Sequence, residues 1–285
     1  MQQRHAKIAI IGAGSAGLSA WHAAHKHTDD VVLIEAGAYG TTCARVGCMP
    51  SKLLIAAANA AHNARKADMF GVTVNEVTID GHAVMTRIKQ ERDRFVGKVL
   101  TSMKTIPASQ LLRGHARFID PHTLVIDEHT QLTAEAIIIA TGSRPTWPKL
   151  LESAGNRLII NDDVFNWETL PASVAVIGPG VIGMELGQAL SRLGVRTRTF
   201  VVGGAIGPFQ SEKLRQLADE TFNREFYLDP EANLDKIERR EKAVSITFDE
   251  RDSGQKITET FDYVLAATGR RPNVDQLAIE QAELK

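Results

Sequence analysis

The stretch Lys7-Ile8-Ala9-Ile10-Ile11-Gly12-Ala13-Gly14-Ser15-Ala16-Gly17 decides the fold. Lys7 to Ile11 is a short apolar run rich in β-branched residues, Ser15 to His27 is Ala-rich and helix-like, and Val31 to Ile34 is a second buried-strand run that ends at Glu35. Strand, helix and strand with G-x-G-x-x-G at the first turn form the pattern of a dinucleotide-binding βαβ unit. Gly12 makes the tight turn, Gly14 lets a pyrophosphate approach the backbone at the helix N-terminus, and Gly17 lets strand and helix pack closely. Glu35 lies 18 residues beyond Gly17 and offers its carboxylate to a ribose hydroxyl. The competing reading is a glycine-rich turn in an α/β domain with no ligand.

The unit returns later in the chain. A strand from Ser173 over Val174 to Ile177 is followed by Gly178-Pro179-Gly180-Val181-Ile182-Gly183, a helix over Val181 to Leu193, a stop at Gly194 and a strand from about Val195 to Val202. Eighteen residues beyond Gly183 stands Val201, so the ribose-binding acid is missing at the second site. Arg196 and Arg198 are nearby and share one strand face, and the choice between NAD and NADP stays open.

Between the repeats lie a helix-prone stretch, Pro50 to Lys66, and a longer polar one, His82 to Met103. Strand-like pieces follow at Leu111 to Ile119, Thr123 to Ile126 and Ala136 to Ala140, and a last one spans Tyr263 to Ala267. Ala267-Thr268-Gly269-Arg270-Arg271-Pro272 echoes Ala140-Thr141-Gly142-Ser143-Arg144-Pro145, and Pro145 and Pro148 punctuate the chain. The expected organisation is α/β, two Rossmann-like domains in tandem: 1–150, 151–271, and a short return segment, 272–285.

The 285 residues carry 33 Lys+Arg against 34 Asp+Glu, a net charge of −1 that argues against a nucleic-acid surface. With 44% hydrophobic and 24% charged residues, the composition is that of a soluble globular protein. No signal peptide or membrane span is legible, and the expected compartment is the cytoplasm. Two cysteines exclude a disulfide-stapled secreted scaffold.

Those cysteines lie in Gly40-Thr41-Thr42-Cys43-Ala44-Arg45-Val46-Gly47-Cys48-Met49-Pro50-Ser51-Lys52. In a regular helix a C-x4-C spacing rises about 7.5 Å, too far for easy disulfide geometry, so the backbone must bend, and Gly47 permits it. Pro50 suits the first turn of a helix and would place Cys48 at the positive end of its dipole, where a thiolate is stabilised. Two separate structural thiols are the alternative, and a zinc site would need further ligands.

Thr-Cys-x4-Cys-x-Pro-Ser-Lys, preceded by one G-x-G-x-x-G unit and followed by Ala-Thr-Gly and a second G-x-G-x-x-G-x-Glu, closely resembles the class I pyridine nucleotide-disulfide oxidoreductases. The resemblance spans residues 5 to 275. Within that family, Gly180-Val181-Ile182-Gly183-Met184-Glu185-Leu186-Gly187 and Asp120-Pro121-His122-Thr123 read most like the dihydrolipoamide dehydrogenase group. The resemblance implies an FAD-dependent exchange of electrons between NAD(P)H and a small-molecule or lipoyl dithiol/disulfide. FAD would contact Gly12, Gly14, Ser15, Gly17, Glu35, Thr41 and Thr42, the Gly114-His115-Ala116 turn through Ala116, and Thr141, Gly142 and Ser143. Cys48 would be the thiolate against the flavin and Cys43 the residue that exchanges with substrate. Lys52 would sit near the flavin, paired with Glu185. NAD(P) would meet Gly178, Gly180, Gly183, Gly269 and the position of Val201.

Members of the family continue into a Gly-Asp segment and a C-terminal dimerisation domain bearing a His–Glu pair, and neither is found here. The chain is therefore expected to be a C-terminally truncated member, with the family's homodimer not assumed. Diaphorase or oxidase activity alone, or a non-catalytic nucleotide-binding fragment, are the alternatives. His22, His25 and His27 cluster on the first helix, where a solvated face is favoured over a metal site.

Overall fold

The apolar runs beside both fingerprints are buried on their two faces, as central strands of parallel sheets must be. A computed structural model describes residues 1–284. They form two compact units: Met1–Arg45 with Asp93–Arg144 and the chain from Arg271 onward, and Val46–Arg92 with Pro145–Arg270. The units are not consecutive stretches, because 46–92 groups with the second fingerprint rather than the first.

Four helices precede the middle of the chain: α1 (Ser15–Ala24), α2 (Thr42–Val46), α3 (Cys48–Arg65) and α4 (Gly81–Met103). The first unit is built on β1 (Gln2–Ile11), β2 (Val31–Glu35), β3 (Leu111–Arg113), β4 (Ala116–Asp120), β5 (Thr123–Ile126) and β6 (Thr130–Ile139). Their order is β3-β2-β1-β6-β5-β4, with β1 parallel to both β2 and β6 and β5 antiparallel to both β6 and β4. Alternation along β1 and β2 sends Ile10, Val31 and Leu33 to one face, against Trp21 and Ala24 of α1. Ala9, Ile11, Val32 and Ile34 face the other way, among Phe118, Leu124 and Leu132. A short strand, β7 (Ser143–Pro145), carries the chain out of this unit.

Two expectations are corrected in this unit. Helix α1 stops at Ala24 instead of His27, because Lys26 and His27 turn back on the carbonyls of Ala23 and Ala24 and tighten its end. The run Leu111–Ile119 is two strands rather than one. Gly114 breaks it at φ +140°, and a Cβ there would collide with the Asp127 carboxylate.

In the second unit, β8 (Leu158–Ile159), β9 (Ser173–Ile177), β10 (Arg196–Phe200), β11 (Tyr227–Asp229) and β15 (Tyr263–Ala266) form an all-parallel sheet ordered β11-β10-β9-β15-β8. Its helices are α5 (Asn161–Val164), α6 (Val181–Arg192) and α7 (Glu212–Asn223). Val174 and Val176 turn toward α6 and pack with Leu186 and Leu190, with Leu54 and Ala58 of α3, and with Met85 and Ile88 of α4. Ala175, Ile177 and Phe200 meet Ile246, Phe248 and Phe261 of an antiparallel sheet made of β12 (Leu234–Arg239), β13 (Val244–Asp249) and β14 (Lys256–Phe261). The chain leaves through β16 (Arg270–Pro272). No helix among the described residues is long and apolar enough to cross a membrane.

Candidate dinucleotide and redox site

The first fingerprint folds as a cradle that side chains would fill. Gly12 has φ +105°, and a Cβ on it would strike the carbonyl of Ala140 where β6 ends; a Cβ on Gly17 would strike the carbonyl of Gly12. Gly14, the N-cap of α1, has no atom within 4 Å of its Cβ position. Its amide end therefore opens into space, as an anion site at a helix N-terminus requires. That space is a cavity of about 620 Å³ at the carboxyl ends of β1, β2 and β6, the switch point of the sheet.

Gly12, Gly14, Glu35, Thr41, Thr42, Ala116, Thr141 and Gly142 all line this cavity, while Ser15, Gly17 and Ser143 do not. The Glu35 carboxylate accepts from the N–H of Ala13 at 2.8 Å and of Gly37 at 2.6 Å, which ties the fingerprint to the end of β2. Thr41 is buried in the left-handed region at φ +61°, and its Oγ1 accepts from the Ala44 N–H at 3.1 Å, capping α2. Four further lining residues, Arg45, Arg144, Asn273 and Asp275, were not among the sequence candidates. Arg144 donates to Asn273 Oδ1 at 2.9 Å and pairs with Asp275, whose carboxyl it holds below the usual aspartate range. Asn273 in turn binds the carbonyls of Thr141 and Gly142. The repeated Ala-Thr-Gly motif signals the Thr141 side of this clasp, whereas nothing local marks Asp275.

The second fingerprint repeats the cradle in its own unit. Gly178 has φ +129° and its Cβ would strike the carbonyl of Ala267; the Cβ of Gly183 would strike that of Gly178; Gly180 is the N-cap of α6. Val201 departs from its expected role. Its side chain is fully buried among Met184, Ile206 and Leu228, so it offers a ribose no surface. Arg196 and Arg198 both pair with Glu259 of β14, and Arg198 lies 4.2 Å over the Tyr227 ring. They serve the junction of the parallel and antiparallel sheets rather than the fingerprint. Gly269, at φ +132°, accepts the Thr146 N–H at 3.0 Å and fixes the turn after β15.

The cysteines flank a break between two helices. α2 carries Cys43, half-buried; Gly47 takes φ −125°, ψ −117°; α3 then begins at Cys48 itself, which is exposed. Helix α3 thus starts two residues before the expected Pro50 and puts Cys48 in its first turn. One turn on, Lys52 Nζ lies 2.5 Å from Glu185 Oε1 of α6. The pair forms because Leu54 and Ala58 on α3 are locked into the core beside Leu186 and Leu190. Among the described residues no group of His, Cys, Asp and Glu side chains is placed to hold a metal ion.

Two glycine cradles, each at the carboxyl end of parallel strands, with a C-x4-C segment following β2 of the first, define a pyridine-nucleotide redox protein. Residues 6–285 match the pyridine nucleotide-disulphide oxidoreductase family, and the chain belongs to it. It is 30% identical over 284 residues to a dihydrolipoyl dehydrogenase of Geobacillus stearothermophilus and over 285 residues to one of Bacillus subtilis. Each alignment covers 97% of this chain, which spans about 59% of those relatives' length. The flavoprotein disulfide reductase RclA from Escherichia coli, in its Cu(II) complex, superposes with a TM-score of 0.78 at 21% identity, covering 99% of this chain and 60% of that one. At that identity the likeness concerns the fold.

Proposed function

We propose that this chain carries the FAD and NAD(P) sites and the redox cysteines of an oxidoreductase that exchanges electrons between NAD(P)H and a dithiol or disulfide of dihydrolipoyl type. The observation that carries this reading is the pairing of Lys52, four residues beyond Cys48, with Glu185 on the helix of the second glycine cradle. A family motif and a second-fingerprint residue meet there. In place of the consecutive 1–150, 151–271 and 272–285, the unit of Met1–Arg45, Asp93–Arg144 and the chain from Arg271 onward is taken as flavin-binding and that of Val46–Arg92 and Pro145–Arg270 as nicotinamide-binding. The reducing cytoplasm suits two reactive thiols.

The first cavity fits a flavin dinucleotide: it has a glycine cradle no side chain could occupy, an open helix N-terminus at Gly14, and Glu35 at the end of β2. FAD, when bound, accepts hydride from a nicotinamide and passes electron pairs to a disulfide. The residues of the chain do the rest. Gly12 and Gly14 would hold the pyrophosphate, with Gly17 letting α1 pack close behind them, Glu35 would take the ribose, Thr41 and Thr42 the phosphate side, Ala116 the adenine, and Thr141 and Gly142 the flavin side, while Ser15 and Ser143 adjoin these turns without lining the cavity. With the pair oxidised, a substrate thiolate attacks Cys43, forming a mixed disulfide as Cys48 departs as thiolate; in the opposite direction the Cys43 thiolate attacks a substrate disulfide and one substrate sulfur departs as thiolate. Lys52, oriented by Glu185, would supply a positive charge toward the flavin, as the family motif implies. Gly178, Gly180, Gly183 and Gly269 hold the nicotinamide nucleotide, and its adenosine ribose meets neither a carboxylate nor an arginine at the Val201 position.

The test is the visible spectrum of the protein incubated with FAD, before and after anaerobic NADH or NADPH. A bound flavin spectrum that gains a long-wavelength band on reduction is expected, lost in Cys48→Ser and kept in Cys43→Ser. A protein that takes up no flavin, or two variants that behave alike, would overturn the assignment.

A further inference from the structure

The first cavity is lined by two arginines of unlike circumstance. Arg144 is engaged by Asp275, Asn273 and the Pro272 carbonyl. The Glu35 carboxylate is met by two backbone amides. Arg45 reaches the same cavity, yet its guanidinium makes one hydrogen bond, from Nη1 to the carbonyl of Ala38 at 3.2 Å, and no ion pair among the described residues. Four of its five N–H donors are thereby uncommitted. The route of this side chain is reserved by the backbone. Gly40 stands at φ +111°, and a Cβ on it would come within 3.2 Å of Arg45 Cδ and 3.0 Å of Val96 Cγ1.

The fingerprint offers a ligand backbone N–H groups and a helix dipole but no full positive charge. A dinucleotide's diphosphate carries two negative charges. We propose that Arg45 is the charge-bearing contact to the diphosphate of the first unit's ligand, a specificity residue for phosphate-bearing over phosphate-free adenosine compounds. The proposal rests on the dinucleotide reading of this cavity. Arg45 lies two residues beyond Cys43 on α2, so the contact joins the ligand to the segment that bears the outer cysteine.

The test titrates FAD, ADP and adenosine into apoprotein of the wild type, Arg45→Gln and Arg45→Lys, and records ligand-free melting temperatures. Arg45→Gln is expected to weaken FAD and ADP by about 10- to 100-fold, the range of a charge-assisted hydrogen bond, and to leave adenosine and the ligand-free melting temperature unchanged. Arg45→Lys should recover part of the loss, and the wild-type preference for ADP over adenosine should shrink with added salt. Equal FAD and ADP affinities in wild type and Arg45→Gln would overturn the proposal. Binding of ADP that depends on Arg45, with no binding of FAD, would support the contact while refuting the flavin reading; a wild type that binds neither refutes both.

Discussion

Replacing Gly14 by Ala should abolish dinucleotide binding and spare the fold, whereas replacing Gly17 should damage both. At Gly14 the backbone (φ −75°, ψ −171°) is open to any residue, and no atom lies within 4 Å of the new Cβ. Alanine is a poorer N-cap than glycine by about 0.5–1 kcal/mol. The more restricted unfolded chain returns about 0.4–1 kcal/mol. The two nearly cancel, and the melting temperature should move by less than about 2 °C. At Gly17 the new Cβ meets the carbonyl of Gly12, a backbone atom that cannot rotate away. Overpacking of that kind costs about 1–3 kcal/mol, and here the upper end, or about 6–12 °C. Thermal unfolding of apoprotein and FAD titration by flavin fluorescence read the two effects separately. Gly14→Ala binding FAD as the wild type does would refute the approach of a diphosphate at that turn. Gly17→Ala melting with the wild type would refute the close passage of α1 over the start of the fingerprint.

Three further outcomes are expected. Glu185→Gln removes a pair whose lysine is 59% exposed, so stability should fall by less than about 1 kcal/mol while reduction of bound flavin by NADH slows about tenfold or more. A melting loss with unchanged reduction would make the pair a plain surface bridge. Leu54→Ala empties a fully buried site between α3 and α6 and should cost about 2–5 kcal/mol by denaturant unfolding; a cost under about 1 kcal/mol would refute the packing described. Burial, aided by Arg192 and opposed by Glu225, holds His62 below its ordinary value of 6.5. The unfolded chain takes that proton first, so stability present above pH 6.5 is lost as pH falls toward the lowered value. His62→Gln should flatten this slope in pH-dependent unfolding, and an unchanged slope would assign it elsewhere.

Both cradles were legible because their constraint is local: at Gly12, Gly17, Gly178 and Gly183 a Cβ has nowhere to go, and only glycine answers that. The C-x4-C segment and the partnership of Lys52 with Glu185 were legible through the family motif, not through spacing. Val201 shows where counting fails. The position 18 residues past a glycine was found correctly, but the burial that removes it from any ligand depends on Ile206 and Leu228, far from the fingerprint in sequence. Strands β12 to β14 and helix α7 lie in polar sequence whose alternation is short, so the strands' apolar residues gain meaning only against Phe200 and Ile177, and Ala218 of the helix only against Val201 and Leu228. Arg45 stands at an unspecified position inside the C-x4-C segment and Asp275 sits outside every motif, so neither was marked as a cavity residue.

The chain passes between its two units four times, and the first unit takes its last segment from Arg271 onward. During synthesis the second unit's described residues are therefore all made before the first unit's are complete. The stretch from Asn273 to Leu277, whose bonds to Gly142 and Phe118 close one wall of the cavity, leaves the ribosome after every other lining residue. A segment cut at 150 would hold the whole first fingerprint and still lack that wall. Within this chain that wall of the cavity is thus completed late, by topology.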